Sequence, residues 1–152
     1  MNSTKKEPFK LALREFTMQD YDAVRAVWDD AGLPCRPQGR DSRKNIQKQL
    51  KQPCTIFLLA ELDKKIIGTL FGTHDGRKGW INRLAVIPSF RKQGVAAALM
   101  AEVEQRFSAL GVDIVACLIE EWNVDSMQIF ENLGYTRHKD IIYFTKRENP
   151  TV

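Results

Sequence analysis

Residues 55–86 carry three successive β-rich runs, and directly after Pro88 the apolar period changes to that of a helix. The runs cover residues 55–62, 66–73 and 79–86, with turn signals at 63–65 and 74–76. Strands joined by such short turns pair antiparallel. The helical stretch ends at Gly111 and has apolar anchors at Val95, Leu99, Val103, Phe107 and Leu110. A chain of this kind is constrained to an antiparallel meander followed by one long amphipathic helix.

The flanking segments complete a mixed architecture. Residues 11–15 predict a first strand, 17–31 a helix with Thr17 at its start, and 42–52 a second helix. Residues 114–119 predict a strand buried on both faces, 123–133 a last helix and 140–146 a last strand. We therefore expect an α/β fold with a single mixed, mostly antiparallel central sheet flanked by helices. One domain over residues 9–147 is expected, between a flexible tail at 1–8 and a C-terminal tail at 148–152.

Composition excludes several classes of protein. The 152 residues carry a net charge of +4, which favours anionic ligands without requiring a nucleic acid. No apolar run is long enough to span a membrane, and the polar N-terminus lacks a secretory signal, so a cytoplasmic protein without membrane partners is expected. Cys35, Cys54 and Cys117, with His74 and His138, offer no metal-ligand spacing, so no metal is predicted and the thiols are expected to be free.

The second predicted helix has a basic face that can be interpreted in two ways. It would dock an acidic substrate, or it is an ordinary solvated surface. The basic residues are Arg43, Lys44, Lys48 and Lys51.

The loop at residues 87–94 is the segment most informative about function. A strand ends before it, and the long helix begins with its last residues. Helix N-termini present unpaired amides and a partial positive charge, and both favour phosphate. Gly94 lets the backbone approach a ligand, Ala96 is small, and Arg91 and Lys92 add positive charge. The loop predicts a phosphate site, although a basic loop of this kind is also a common solubilising turn.

The run Val86-x-Pro88-x-x-Arg91-x-x-Gly94-x-Ala96 resembles the acetyl-CoA motif of the GNAT superfamily of N-acetyltransferases. A later segment, with Asn123, Ser126, Phe130 and Gly134-Tyr135, is similar to a second motif of that family. The order of the predicted elements resembles the GNAT layout over nearly the whole chain. Residues 34–42 and the flanking helices look similar to a small, poorly characterised prokaryotic subgroup.

The resemblance implies that acetyl-CoA is the cosubstrate. Backbone groups of Leu84, Ala85 and Val86 would pair with the pantetheine arm, while the Val86 strand and the strand ending at Ile119 splay apart. Asn123 would bond near the pantetheine, or alternatively cap its helix. Phe130 would also lie at the cofactor. The pyrophosphate would be held by the backbone of Arg91, Lys92, Gln93, Gly94, Val95 and Ala96.

The resemblance also implies acetyl transfer to a primary amine by direct attack. The amine belongs to a small molecule, a peptide N-terminus or a lysine. The Val86 N–H would stabilise the oxyanion, and Glu120 or Glu121, with Glu121 preferred, would act as a water-linked base.

Phe130 stands where the family usually has a tyrosine that protonates the leaving thiolate. Tyr143 or water would substitute for it, and Tyr135 is expected to be a core aromatic. The alternative function is an acetyl-CoA-binding regulatory module with weak or no catalysis. The family often forms dimers, so a homodimer is compatible with the resemblance.

The acceptor pocket is expected to be lined by residues 33–41 and 140–143. Arg36 and Arg40 in the first segment hint at a carboxylate on the acceptor. Neither segment has a charge pattern selective enough to identify the amine.

Overall fold

The computed structural model describes residues 10–152, and the tail predicted over residues 1–8 lies outside them. The family resemblance and the hydrophobic pattern both predicted one sheet flanked by helices, and the structure confirms this architecture. The strands are β1 (Leu11–Glu15), β2 (Thr55–Leu62), β3 (Lys65–His74), β4 (Lys78–Ile81), β5 (Ala85–Val86) and β6 (Ile114–Cys117). The helices are α1 (Tyr21–Asp30), α2 (Arg43–Leu50), α3 (Val95–Ala109) and α4 (Val124–Asn132).

The sheet is mixed and mostly antiparallel. Its strands follow the order β1-β2-β3-β4-β6, and β5 pairs with β3 beside β4. Every pairing is antiparallel except that of β4 with β6, which is parallel. The parallel pairing arises because α3 carries the chain back across the sheet before β6 begins.

Helix α3 lies close to the sheet because glycines lie beneath it. A Cβ built on Gly68 would lie 3.0 Å from Val95, and one built on Gly79 would lie 2.6 Å from the Phe107 ring. Gly72 is similarly close to Phe107 and Val103. Glycine at these positions lets the helix backbone approach the strands and bury its apolar face. This packing fixes where the N-terminus of α3 points.

The chain is not a continuous strand between residues 79 and 86, contrary to the sequence prediction. It leaves the sheet after Ile81 and returns at Ala85, so that β4 and β5 are separate. The interruption turns Arg83 inward, where its side chain is only 10% exposed. Alternating hydrophobicity cannot reveal such an excursion, because it depends on a partner distant in sequence.

That partner is Asp41. The Arg83 guanidinium donates to the Asp41 carboxylate and to the Pro34 carbonyl oxygen, and it lies 5.0 Å from the Trp28 ring centroid. The Asp41 carboxylate also accepts from the backbone N–H of Arg36 at 2.7 Å. These bonds tie the loop between α1 and α2 to the interruption between β4 and β5.

Two further sequence predictions are wrong. Residues 140–146 were expected to form a last strand, but no strand follows α4 within the described residues. The segment is apolar enough for a strand, yet it pairs with no strand among residues 10–152. Residues 114–119 were expected to form a strand buried on both faces, but β6 ends at Cys117, Ile114 is 54% exposed and the other three residues of β6 are half-buried.

The last residues of the chain contact the loop between α1 and α2. The Arg36 guanidinium donates to the Pro150 carbonyl oxygen, and a Cβ on Gly39 would overlap the Thr151 carbonyl. The basic residues of α2 lie at an exposed surface, where Arg43 pairs with Asp22.

Replacing Arg83 with methionine should cost about 3–5 kcal/mol of unfolding free energy, because buried Asp41 loses its buried cation. Asp41 keeps only Arg40, whose Nε lies 3.7 Å away and whose side chain is 45% exposed. The matched control is Asp22→Asn, which breaks an ion pair whose side chains are 53% and 83% exposed. Its cost should be about 0–1 kcal/mol. Urea unfolding followed by circular dichroism measures both. Equal small losses for the two variants would contradict the structural role given to Arg83.

Candidate functional site

A cleft of about 110 Å³ opens where β5 and β6 separate. Its walls come from the loop after α1, from the interruption between β4 and β5, and from the segment joining β6 to α4. The lining residues are Leu33, Pro34, Ile81, Asn82, Leu84, Cys117, Leu118, Ile119, Glu120, Trp122, Asn123, Ser126 and Phe130. The cleft is therefore mostly apolar, with polar side chains from both sides: Asn82 from the interruption, and Glu120, Asn123 and Ser126 from the segment after β6.

The cleft exists because the parallel ladder stops early. Strands β4 and β6 pair as far as Ile81 and Cys117, whereas β5 pairs only with β3. Beyond Ile81 and Cys117 the two segments of the chain diverge and leave a gap in the sheet. This is the separation that the family resemblance implies.

Only some of the backbone groups of β5 form hydrogen bonds with β3. The Ile87 N–H donates to the Ile67 carbonyl oxygen at 2.9 Å, and Val86 is opposite Gly68. Hydrogen-bonded and non-bonded pairs alternate along an antiparallel ladder, so Ala85 is bonded to β3 while the Val86 N–H points away from it. Of the three residues predicted to meet a pantetheine arm, Leu84 and Val86 are the two whose backbone N–H groups are left free by β3.

The loop before α3 has a geometry suited to an anion. Lys92 has φ +60° and Gly94 has φ +82°, so successive backbone groups turn in opposite senses. No side chain caps α3, and its first turn contains no acidic residue. The amides of Val95 and Ala96 therefore lack an intrahelical partner and add their partial positive charge to that of exposed Lys92.

Arg91 has a different role from the one its charge suggests. Its Nε donates to the Val86 carbonyl oxygen at 3.2 Å, and its Nη2 donates to the Ala31 carbonyl oxygen at 3.1 Å. The guanidinium thus links the loop at residues 87–94 to β5 and to the end of α1. Gln93 donates to the Ser89 carbonyl oxygen at 3.3 Å, which further closes the loop on itself.

The opposite wall is built by α4. The Asn123 side-chain oxygen accepts from the Ser126 N–H at 3.2 Å, so Asn123 caps the helix, as the alternative interpretation proposed. Its amide nitrogen has no protein partner within residues 10–152 and remains able to donate into the cleft. Phe130 is buried and packs edge-on against Tyr135, with ring centroids 5.1 Å apart.

Tyr135 carries a phenol close to Phe130. Its hydroxyl donates to Glu104 Oε1 at 2.8 Å. Burial and this bond to a carboxylate raise the pKa of Tyr135 far above its usual range, so its hydroxyl stays protonated at any working pH. The sequence prediction of a core aromatic is confirmed for the ring, which packs against the core.

The structure does not bring the three predicted catalytic side chains together. Glu120 and Glu121 are both exposed, and of the two only Glu120 lines the cleft. Tyr143 is 65% exposed and also outside the cleft. Sequence reasoning missed Asn82, Cys117 and Trp122, which line the cleft without belonging to a motif. Only their positions beside the interruption and after β6 could have drawn attention to them.

Among residues 10–152, no cluster of histidine, cysteine and carboxylate side chains could hold a metal ion. Within the same part of the chain, no helix has the length and apolarity needed to cross a membrane.

Comparison with known proteins gives consistent matches. The model of the acetyltransferase (GNAT) family matches residues 14–135. An acetyltransferase of Photorhabdus laumondii subsp. laumondii is 32% identical over 138 residues, which are 90% of this chain and 95% of that relative.

Solved structures show the same fold at lower identity. The acetyltransferase AAC(6')-Iy, in complex with a bisubstrate analogue of CoA and acetylneamine, superposes with a TM-score of 0.77 at 20% identity, covering 91% of this chain and 99% of that one. The aminoglycoside antibiotic 6'-N-acetyltransferase of Acinetobacter baumannii has a TM-score of 0.76 at 17% identity, covering 92% and 100%.

Thiol alkylation tests the environment of the cleft. Burial raises the pKa of Cys117 to about 11, and burial also raises the pKa of Cys35. Because the thiolate is the nucleophile, iodoacetamide should modify Cys117 very slowly at pH 7, and the rate should rise about tenfold per pH unit up to pH 9. Peptide mass spectrometry measures the rate, with free N-acetylcysteine as the reference thiol. Modification of Cys117 at pH 7 as fast as that of the reference would contradict the burial of its sulfur.

Proposed function

The chain belongs to the acetyltransferase (GNAT) family and is an acetyl-CoA-dependent N-acetyltransferase, and on that premise we propose how its own residues perform the transfer. The acetyl group passes from the thioester of acetyl-CoA to a primary amine of a small molecule, a peptide N-terminus or a lysine. The amine attacks the carbonyl carbon directly, without an acetylated enzyme intermediate.

The observation that carries this proposal is the direction of the Val86 N–H. The alternation of the β3–β5 ladder turns it away from β3, toward the side of β5 on which the β4–β6 ladder ends. A fixed donor in a mostly apolar cleft stabilises negative charge more strongly than the same donor in water. The Val86 N–H is therefore suited to bond the thioester oxygen as it becomes an oxyanion.

The pantetheine arm and the pyrophosphate of acetyl-CoA can be placed on neighbouring parts of the structure. The cleft between β5 and β6 accommodates the pantetheine arm. The backbone N–H of Leu84 and the side-chain amide of Asn123 are its polar contacts on the two sides. The loop at residues 87–94 and the first turn of α3 bind the pyrophosphate through backbone N–H groups and Lys92. Arg91 supports this loop from behind by bonding two backbone carbonyl oxygens.

The amine must lose a proton to attack and complete the transfer. An alkylamine with a pKa near 10.4 is mostly protonated at neutral pH, so a base speeds the reaction. Glu120 is the carboxylate that lines the cleft, and we assign it the role of base, directly or through water. This assignment reverses the preference for Glu121, which came from sequence spacing alone.

Bond making and breaking balance as follows. The amine nitrogen forms a bond to the carbonyl carbon, the tetrahedral oxyanion collapses, and the carbon–sulfur bond breaks. The ammonium ion gives its first proton to solvent before the attack, the tetrahedral intermediate gives a second nitrogen proton to Glu120, and the sulfur leaves as a thiolate. Phe130 cannot protonate that thiolate, and the Tyr135 hydroxyl is bonded to Glu104. A thiol pKa near 8.5 allows departure as the thiolate, which water then protonates.

The cleft favours an acceptor with few positive charges. The solved structures of similar fold include aminoglycoside acetyltransferases, and an aminoglycoside carries several ammonium groups. Here Glu120 is the only carboxylate among the cleft-lining residues, and the lining loop continues into Arg36 and Arg40. A polycation would find little charge compensation, so a monoamine, including one that carries a carboxylate, is the better fit.

A weakly active acetyl-CoA-binding module remains the alternative, and Phe130 is the observation that favours it. The two functions differ in turnover. Release of CoA thiol should be measured against a panel that contains monoamines, amino acids, peptides with free N-termini and aminoglycosides. Amine-dependent release with monoamines supports the transferase. Binding of acetyl-CoA without release across the whole panel would instead identify the regulatory module.

Glu120→Gln should lower kcat/KM by about 100-fold, because glutamine keeps the shape of the side chain but cannot accept the amine proton. Glu121→Gln is the matched control, since it changes the adjacent exposed carboxylate by the same atoms. Steady-state rates from pH 6 to pH 10 distinguish the two. The assignment fails if Glu121→Gln causes the larger loss or if Glu120→Gln retains the parent kcat/KM.

A further inference from the structure

A second cavity, of about 410 Å³, lies on the face of the sheet that α1 covers. Neighbouring residues of β3 distinguish the two faces. Thr69 accepts from the Trp28 indole of α1 at 3.0 Å, whereas Gly68, the residue before it, faces α3. Among residues 10–152, the cavity shares no lining residue with the cleft between β5 and β6. Its volume lies in the range of about 300–1,000 Å³ that is typical of small-molecule sites.

Arg14 in the wall of this cavity is already paired. Its guanidinium donates to Glu61 at 2.8 Å, and to the two carboxylate oxygens of Asp20 at 2.8 Å and 2.9 Å. The bonds to Arg14 lower the pKa of Asp20 to about 2, so that Asp20 is ionised at neutral pH. These three lining residues therefore stabilise the wall and compensate one another.

The other three charged residues of the lining lack such partners. Lys64 and Lys65 lie where the chain turns from β2 into β3, and Asp30 is the last residue of α1. All three are exposed, and within residues 10–152 none of them makes a hydrogen bond or an ion pair. The cavity thus presents unpaired positive charge from the turn and unpaired negative charge from the helix.

The end of α1 adds to the negative side of this arrangement. Its last turn contains Asp29 and Asp30 and no basic residue. Arg91 bonds the Ala31 carbonyl oxygen just beyond the helix, but among the described residues it does not pair with Asp30. Carbonyl groups at a helix C-terminus carry partial negative charge, so a cation is stabilised there. An ammonium group beside Asp30 would be favoured both by the carboxylate and by the helix dipole.

The lining as a whole indicates the class of ligand. It has three basic and three acidic side chains, so the cavity carries no net charge. A neutral cavity with separated, unpaired charges favours a neutral ligand that carries both an anionic and a cationic group. The rest of the lining is apolar and would contact a hydrocarbon group; it comprises Ala23, Ala26, Val27, Ile66 and Ile87.

We propose that this cavity binds a free α-amino acid with an apolar side chain. Lys64 and Lys65 bind its carboxylate, Asp30 binds its ammonium group, and the side chain lies against the apolar residues of the lining. The site is independent of acetyl transfer, because none of these three charged residues lines the cleft.

Chemical-shift mapping tests where the ligand binds. The full chain, labelled with nitrogen-15, is titrated with L-leucine to millimolar concentrations in the absence of acetyl-CoA. Saturable shifts are expected for the backbone amides of Ala26, Asp30 and Lys64 in the cavity. The amides of Asn82 and Trp122, which line the cleft, should not shift.

Two analogues of leucine test the charged contacts. Isocaproate has the same carbon skeleton without the ammonium group, and isoamylamine is the same molecule without the carboxylate. Each should bind at least about fivefold more weakly than L-leucine, because each has lost one of the two opposite charges that the cavity matches.

Variants at exposed positions identify the protein groups. Asp30→Asn should weaken binding of L-leucine about fivefold, and Lys64→Gln about threefold. Asp29→Asn and Lys48→Gln are the matched controls, since they make the same changes at exposed residues outside the lining, and both should bind like the parent.

Three results would overturn the proposal: no saturable shift with L-leucine, shifts confined to the cleft, or equal binding by the cavity variants and their controls. Equal affinity for leucine and its two analogues would also contradict it. Acetyl-CoA takes no part in these measurements, so their failure would leave the proposed acetyl transfer untouched.

Discussion

The buried ion pair between Arg83 and Asp41 is the interaction on which the rest of the site depends. It holds the excursion between β4 and β5 inside the protein and anchors the loop that follows α1. Leu33 and Pro34 in that loop, and Leu84 in the excursion, form walls of the same cleft. A buried charge pair is costly to desolvate, so its value here is geometric: it fixes two walls at a defined separation.

Two further features of the fold, the interruption between β4 and β5 and the glycines beneath α3, shape the chemistry. The interruption lets β5 pair with β3 but not with β6, and the sheet opens at the point where the backbone N–H of Val86 is free. The glycines beneath α3 bring the helix close to the sheet, so its N-terminus lies beside the end of β5. Strand pairing and packing therefore position both the Val86 N–H proposed to bond the thioester oxygen and the helix terminus proposed to bind the pyrophosphate. Only a few side chains then need a specialised role.

The sequence was sufficient where local periodicity decides the structure. β1 and β2 match their predicted bounds, and α3 follows from apolar residues at helical spacing. Prediction failed where contact with a residue distant in sequence determines the local structure. The break at Arg83 requires Asp41, 42 residues away, and the use of Arg91 as a loop brace requires the carbonyl oxygen of Ala31. The prediction of a final strand failed because residues 140–146 have strand propensity but pair with no strand in the described part of the chain.

The direct test of the account is calorimetric titration of the purified protein with acetyl-CoA. Gly94→Asp places a carboxylate where the pyrophosphate would bind, and Gly111→Asp is its matched control. Both glycines have positive φ, +82° and +76°, and a Cβ added at either would meet open space, so the backbone strain is alike. The account predicts that the parent and Gly111→Asp bind acetyl-CoA, whereas Gly94→Asp binds at least about tenfold more weakly because like charges repel. Equal affinities for the two variants, or no binding heat with the parent protein, would contradict it.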